Sequence, residues 1–299
     1  MLKVSTLKYQ ECNMIPVIDF KSETVLEEIR EAYTTVGFAV FQDALADNDQ
    51  NAMKEWWALM RDFFEQDQET KNKYKYQSEN NLGYSIVGAE NVDPTAPKDM
   101  KESFNYNNTR MPEELWPTGI DNFKHLALQS IDIADRLTLD ILAKFDLILD
   151  SDTILVDAHR KPYNTTRVIH YPAMRPTVDR QMRIGEHSDY GTITLLWQID
   201  SVPGLEVEDL QGEWHSVPYV WNGVVVNIGD LLQRWTNDYF KSTRHRVNNS
   251  HCHIPRHSMP HFVDPAPGTI VENLLKEPNH YDPIESKEYL MWRLSQSYG

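Results

Sequence analysis

From about residue 167 onward, short runs rich in Val, Ile, Leu, Thr and aromatic residues recur with turn residues between them. The runs are Arg167 to Tyr171, Thr192 to Gln198, Gly204 to Val207, Gly223 to Ile228, Ser242 to Val247 and His257 to Val263. Many short strands at such intervals predict a β-sandwich or barrel-like jelly roll. The first half has a different rhythm. Ile15 to Phe20 and Gly37 to Phe41 read as short strands, and Val25, Leu26, Ile29, Ala32 and Tyr33 follow helical spacing. Trp56, Trp57, Leu59, Met60, Phe63 and Phe64 are crowded enough to predict a helix buried nearly all round. Residues 78–117 lack any period and read as loop, whereas 121–149 carry one long helical pattern suited to bracing a sheet. Residues 286–298 return to helix. The predicted fold class is therefore α+β: a mixed, largely helical layer over residues 1–150 wrapped on a jelly-roll core over residues 151–299, the two forming one unit.

At 299 residues with 40% hydrophobic content, the chain is long enough to bury a substantial core. Its net charge of −16 opposes phosphate backbones and anionic lipid, so nucleic acid and membrane are not the expected partners. Only Cys12 and Cys252 occur, too few for a disulfide framework. No stretch of about eighteen apolar residues suggests a membrane span, and Met1 to Phe20 lack a signal-peptide pattern. A cytoplasmic protein, monomeric or weakly dimeric, with a small-molecule substrate is expected.

The strongest local signal is Gly185-Glu186-His187-Ser188-Asp189-Tyr190-Gly191. In an extended chain, residues two apart share a face, so His187 and Asp189 can reach one metal ion while Ser188 points away. His245, in the run Ser242 to Val247, is placed to supply a third ligand from a distant strand. Two imidazoles and one carboxylate on one face of an octahedron leave positions open for a chelating cosubstrate and dioxygen, the facial triad of non-haem Fe(II) oxygenases. A structural zinc site would need a fourth ligand. A lone His-x-Asp arises often by chance, so the reading depends on its context. Arg256-His257-Ser258 provides some. Its outer residues share a strand face, and a guanidinium fork beside a hydroxyl suits a carboxylate. Tyr171 can add a second hydroxyl.

Five segments, Arg167 to Pro172, Gly185 to Gln198, Trp221 to Trp235, Ser242 to Val247 and Arg256 to Pro265, together resemble the isopenicillin N synthase-like family of Fe(II)/2-oxoglutarate dioxygenases. The most specific motifs are GEHSDYGTITLLWQ, VVVNIGDLLQRWTND, STRHRV and RHSMPHF, and the N-terminal IPVIDF and KESFNYN match the family's opening half. The resemblance spans nearly the whole chain. It implies a double-stranded β-helix, iron on His187, Asp189 and His245, and 2-oxoglutarate on Arg256, Ser258 and Tyr171. It also implies use of dioxygen, support by ascorbate, and oxidation of an unactivated C–H bond by hydroxylation, desaturation or ring closure, with succinate and carbon dioxide released. Asn227, Gly229 and Asp230 are assigned to the framework, with Asp230 suited to cap a helix. One departure is Trp221-Asn222-Gly223 where the family usually has Pro-Gly. Because an Arg-x-Ser pair also occurs in isopenicillin N synthase and aminocyclopropane-carboxylate oxidase, an iron oxidase that dispenses with 2-oxoglutarate is the alternative reading; a cyclase resembling the kainoid synthases is another.

For the substrate wall, Tyr84, Phe104, Asn105, Tyr106 and Trp197 are the candidates, with Arg110 and Arg183 as candidate partners of a substrate carboxylate. A natural-product or amino-acid-derived small molecule is the expected class. His251-Cys252-His253 looks metal-binding but lies in a variable turn and lacks a fourth ligand.

Overall fold

The computed structural model describes residues 14–93, 95–161, 163–275 and 278–297; Cys12 lies outside them. The chain runs β1 (Val17–Asp19), α1 (Val25–Thr35), β2 (Phe38–Gln42), α2 (Asp47–Phe64), α3 (Gln68–Asn72), β3 (Gly83–Ser85), β4 (Glu102–Tyr106), α4 (Phe123–Leu149) and α5 (Ile154–Ala158). It continues through β5 (Thr165–Tyr171), β6 (Ile184–His187), β7 (Ile193–Gln198), β8 (Leu205–Glu208), β9 (Trp214–Ser216), β10 (Val224–Ile228), α6 (Asp230–Trp235), β11 (His245–Val247) and β12 (Arg256–Val263). The short pair β13 (Ile270–Val271) and β14 (Ile284–Glu285) leads into α7 (Ser286–Ser297).

An eight-stranded sheet in the order β1-β2-β10-β7-β12-β5-β4-β3 faces a four-stranded sheet, β6-β11-β8-β9. Four strands from the first half therefore complete a sheet whose centre comes from the second. The large sheet is covered on both faces. On β10, Val224, Val226 and Ile228 join the helices of the outer layer, while Val225 packs between the sheets. The alternation of period two thus separates two buried environments rather than core from solvent.

The outer layer is α1, α2 and α4. In α2 the buried residues Met53, Trp56, Met60, Phe63 and Phe64 form one stripe, and Trp57 and Leu59 are only partly covered. The expectation of all-round burial fails because the helix packs on a single side. The long α4 buries Phe123, Ala127, Ile131, Ala134, Leu137, Ile141, Leu142 and Phe145, the spacing expected of a brace. Within 78–117, read from sequence as loop, the structure has β3 and β4. Every residue of β4 is buried, Phe104 and Tyr106 under the helices and Ser103 and Asn105 toward the sheet interior, and its short run is set among the Asn, Pro, Asp and Gly residues that make the stretch read as loop. Among the described residues no helix is long and apolar enough to cross a membrane.

Candidate active site

Between the two sheets lies a cavity of about 180 Å³, and its wall is built by strand alternation. Every second residue of β5 and its leading segment, Tyr163, Thr165, Arg167, Ile169 and Tyr171, lines it; so does every second residue of β12, Arg256, Ser258, Pro260 and Phe262, with Asp264 beyond. The strands are antiparallel neighbours in register, Arg256 opposite Tyr171 and Phe262 opposite Thr165.

His187 ends β6 and His245 begins β11, directly opposite each other in the ladder. Asp189 follows in the turn. Nδ1 of His187 faces the Gly185 carbonyl at 2.9 Å and Nδ1 of His245 faces that of Thr243 at 3.1 Å. Both Nε2 atoms are thereby aimed at Asp189 Oδ1, at 4.0 and 3.8 Å. One ligand atom from each residue lies within 4.8 Å of the others, so the group can hold a metal ion. Asn227 on β10 donates to the other carboxylate oxygen, Oδ2, at 2.8 Å. This leaves Oδ1 for the ion, and orienting a ligand in this way is how second partners tune metal sites. Burial, then the neighbouring His245, pushes His187 down to about 3, so its ring is neutral and ready to ligate at neutral pH. Burial opposes ionisation of Asp189, but the two histidines and hydrogen bonds from Thr194 and Asn227 outweigh it and hold the carboxylate low.

The turn is compact because three backbones meet there. A Cβ on Gly229 would stand 2.2 Å from the Gly191 carbonyl oxygen, and one on Gly191 would stand 2.5 Å from that of Val263; only glycine permits this approach. Asp230 does not cap α6. Its carboxylate accepts instead from Ser188 at 3.0 Å, from Ser242 and from Arg293 of α7, because the N-terminus of α6 is turned toward the backbone of the Asp189–Gly191 turn.

Arg256 is 1% exposed, and its Nε donates to the Val202 carbonyl at 3.2 Å. Its Nη1 and Nη2 have no acceptor among the described residues. Ser258 and Tyr171 hydroxyls lie 3.4 Å apart beside it. Two buried guanidinium donors without an acceptor carry a desolvation penalty that an anionic ligand would relieve, and the distal carboxylate of 2-oxoglutarate fits that requirement. Arg183 sits at this same end: its guanidinium and that of Arg256 both face the Tyr171 ring, at 5.8 and 5.1 Å from its centre. It donates to the Ile254 carbonyl and does not line the cavity.

Most residues nominated from sequence for the substrate wall are placed elsewhere. Tyr84, Phe104, Tyr106 and Trp197 lie in the helix-facing core. Tyr84 bonds Glu102, Tyr106 bonds Trp56 at 2.8 Å and Ser130 at 2.9 Å, and Phe104 packs on Phe63 and Phe123. Sequence does not say which of two buried faces an aromatic residue takes. Asn105 is in register with Arg167 on the inner side, but its amide is turned to Asn81. Arg110 alone of that group lines the cavity.

Several lining residues carry no site assignment from sequence although they lie within the resembling segments: Lys101, Arg167, Tyr190, Phe262 and Asp264; Leu290, Met291 and Leu294 on α7 lie in no such segment. Counting in twos from Tyr171 and Arg256 would have found Arg167, Phe262 and Asp264. Lys101 and Arg167 share the buried carboxylate of Glu90; burial opposes its ionisation, but the two cations hold it far below the usual carboxylate range.

Residues 163–265 match the 2OG-Fe(II) oxygenase superfamily, and residues 15–121 match the non-haem dioxygenase N-terminal region named for morphine synthesis. The homoarginine-6-hydroxylase of Glycine max is 30% identical, the alignment covering 84% of this chain and 80% of that protein. A proline hydroxylase of Petromyces alliaceus is 28% identical over 93% and 95% of the two chains. Among solved structures, a full-length Neurospora crassa protein in complex with alpha-KG and thymine superposes with a TM-score of 0.83 at 30% identity, covering 94% of this chain and 96% of that one. The jelly roll, the metal-binding group and these matches agree: the chain belongs to the 2OG-Fe(II) oxygenase superfamily and is an iron- and 2-oxoglutarate-dependent dioxygenase acting on small molecules.

Proposed function

We propose that His187 Nε2, Asp189 Oδ1 and His245 Nε2 hold the iron, that Arg256 with Ser258 and Tyr171 holds 2-oxoglutarate, and that the enzyme hydroxylates an unactivated C–H bond of a small polar metabolite. The observation that carries this is the pair of unsatisfied Arg256 donors in the wall of the cavity that contains the triad. When bound, iron and 2-oxoglutarate supply the oxidising power, consuming dioxygen and releasing succinate and carbon dioxide. The protein's own part is positional. Arg256 neutralises the distal carboxylate, and Asn227 fixes the orientation of Asp189. Leu290, Met291 and Leu294 of α7 add an apolar side to the cavity wall.

Arg110, Arg167, Phe262 and Asp264, on the part of the wall away from Arg256, are assigned to the substrate. Proline, homoarginine and thymine, named for the related proteins, all carry an N–H near a carboxylate or carbonyl oxygen. An amino-acid-derived or similarly functionalised substrate is the class proposed here. The enzyme is taken to work in the cytoplasm as a monomer or weak dimer, which light scattering on the purified protein tests for assembly.

The decisive experiment is an anaerobic titration of apoprotein with Fe(II), then 2-oxoglutarate, followed by visible absorption. A charge-transfer band that needs both, and is lost in His187→Ala, is the expected result. Iron binding without a band would move the enzyme to the oxidases that dispense with 2-oxoglutarate. With a substrate in hand, product mass separates hydroxylation, a gain of one oxygen, from desaturation or ring closure, a loss of two hydrogens.

A further inference from the structure

The cavity faces of β5 and β12 end on a carboxyl group that neither iron nor 2-oxoglutarate accounts for. From the pair Arg256–Tyr171 the two strands run to Asp264 and Tyr163, joined by a backbone hydrogen bond of 3.1 Å from Tyr163 N to Asp264 O. Asp264 is eight residues beyond Arg256, roughly 25 Å of extended strand. A five-carbon diacid anchored on Arg256 does not reach it. Asp264 stands instead against the turn after the metal-binding aspartate, where a Cβ on Gly191 would be 2.7 Å from its Oδ1.

Asp264 is 8% exposed and lines the cavity, and neither carboxyl oxygen accepts a hydrogen bond from any described residue; its backbone N–H alone is engaged, with Asn164. The carboxyl group thus opens on the cavity rather than on a protein donor. Nearby, Arg110 stacks on Tyr163 at 3.8 Å and gives its terminal nitrogens to the carbonyls of Asn80, Tyr163 and Asn164 and the Thr165 hydroxyl. Its Nε has no acceptor among the described residues. Arg110 and Asp264 both line the cavity and make no ion pair with each other; burial pushes the Asp264 carboxyl up, and the Arg110 charge works against that push. A carboxyl and a guanidinium on one cavity, close enough to feel each other yet not joined, suit a ligand that brings a donor and an acceptor together.

We propose that Asp264 is a specificity residue, accepting a hydrogen bond from an N–H of the substrate while Arg110 draws the adjacent substrate oxygen. The substrate is then an α-amino acid or a cyclic amide rather than a hydrocarbon-like or purely anionic molecule. This rests on the oxygenase reading above. A purely bracing role for Asp264 beside Gly191 is the competing account.

The test uses the anaerobic Fe(II)·2-oxoglutarate enzyme, with L-proline and thymine as probes against N,N-dimethylproline and 1,3-dimethylthymine, which lack the N–H. Binding is read from the shift of the charge-transfer band. An N–H probe should bind the wild type at least tenfold more tightly than its methylated partner. Asp264→Ala should erase that preference while leaving the dissociation constant of 2-oxoglutarate unchanged. Asp264→Asn keeps an acceptor and the shape, and guards against a folding defect in the alanine variant. It should retain thymine binding if the source is a cyclic amide, and lose proline binding as fully as alanine does if the source is an ammonium group. Equal binding of methylated and unmethylated probes, an N–H preference that survives Asp264→Ala, or no probe shifting the band would overturn the proposal. Absence of the band itself would instead overturn the cofactor assignment.

Discussion

Arg256 is the side chain on which the proposed cosubstrate site depends most. It is buried, it lines the cavity, and two of its donors have no acceptor among the described residues. Arg256→Ala should weaken 2-oxoglutarate binding by about 2–5 kcal/mol, the cost usual for truncating one partner of a desolvated charge pair. Iron affinity, which the proposal assigns to the triad, should stay the same. A band titration that shows unchanged 2-oxoglutarate affinity would remove Arg256 from that role. The Arg-x-Ser pair was legible because residues two apart in a strand share a face whatever the rest of the chain does; His187 and Asp189 are close in sequence although Asp189 lies in the turn after β6, and only the pairing of β11 with β6 brings His245 to them. Asn227 was less legible. It was assigned to framework, and its bond to Asp189 Oδ2 exists only because β10 lies beneath the metal turn.

Two elements tie the site to its surroundings. Helix α7 reaches the metal turn through Arg293, which bonds Asp230 and Tyr289 and lies 4.3 Å from the Tyr190 ring centre. Arg293→Ala should loosen the helix, raise the substrate KM several-fold and expose α7 to proteolysis, with 2-oxoglutarate affinity retained; limited digestion and a KM-against-kcat comparison check this. On the helix-facing side of the large sheet, Glu102, His170, His257 and Asp200 form a cross-strand row, with the two imidazoles stacked at 4.6 Å. Burial would raise Asp200, but hydrogen bonds from His257 and Arg61 outweigh it and hold the group at about 2. Asp200 therefore binds its proton more weakly folded than unfolded. The unfolded chain carries the extra proton between about pH 4 and pH 2, so the stability this group contributes above that window is lost as pH falls through it. Asp200→Asn should lower the melting temperature at neutral pH and flatten the acid limb of a melting-temperature profile. An acid limb identical to that of the wild type would refute the linkage.

At the scale of the whole molecule, the net charge of −16 says nothing of the charges gathered in the cavity wall. The surface is acidic, while Lys101, Arg110, Arg167 and Arg256 line the interior site. Composition argued against nucleic acid as a partner but could not announce buried arginines beside a metal-binding group, because a sum over the chain carries no positions. The amino-acid order by itself determined the jelly roll, through its recurring short strands, the bracing helix 123–149, through its periodicity, and the candidate metal and cosubstrate motifs proposed for the site, through their close spacing. Tertiary structure decided which face of each doubly buried strand meets the cavity. That choice sent Tyr84, Phe104, Tyr106 and Trp197 into the helix-facing core and brought Arg167, Phe262 and Asp264 to the site. The physical reason is that the large sheet is dry on both sides. When neither face meets water, hydrophobic alternation no longer distinguishes inside from outside, and only the packing of one sheet on the other assigns the faces.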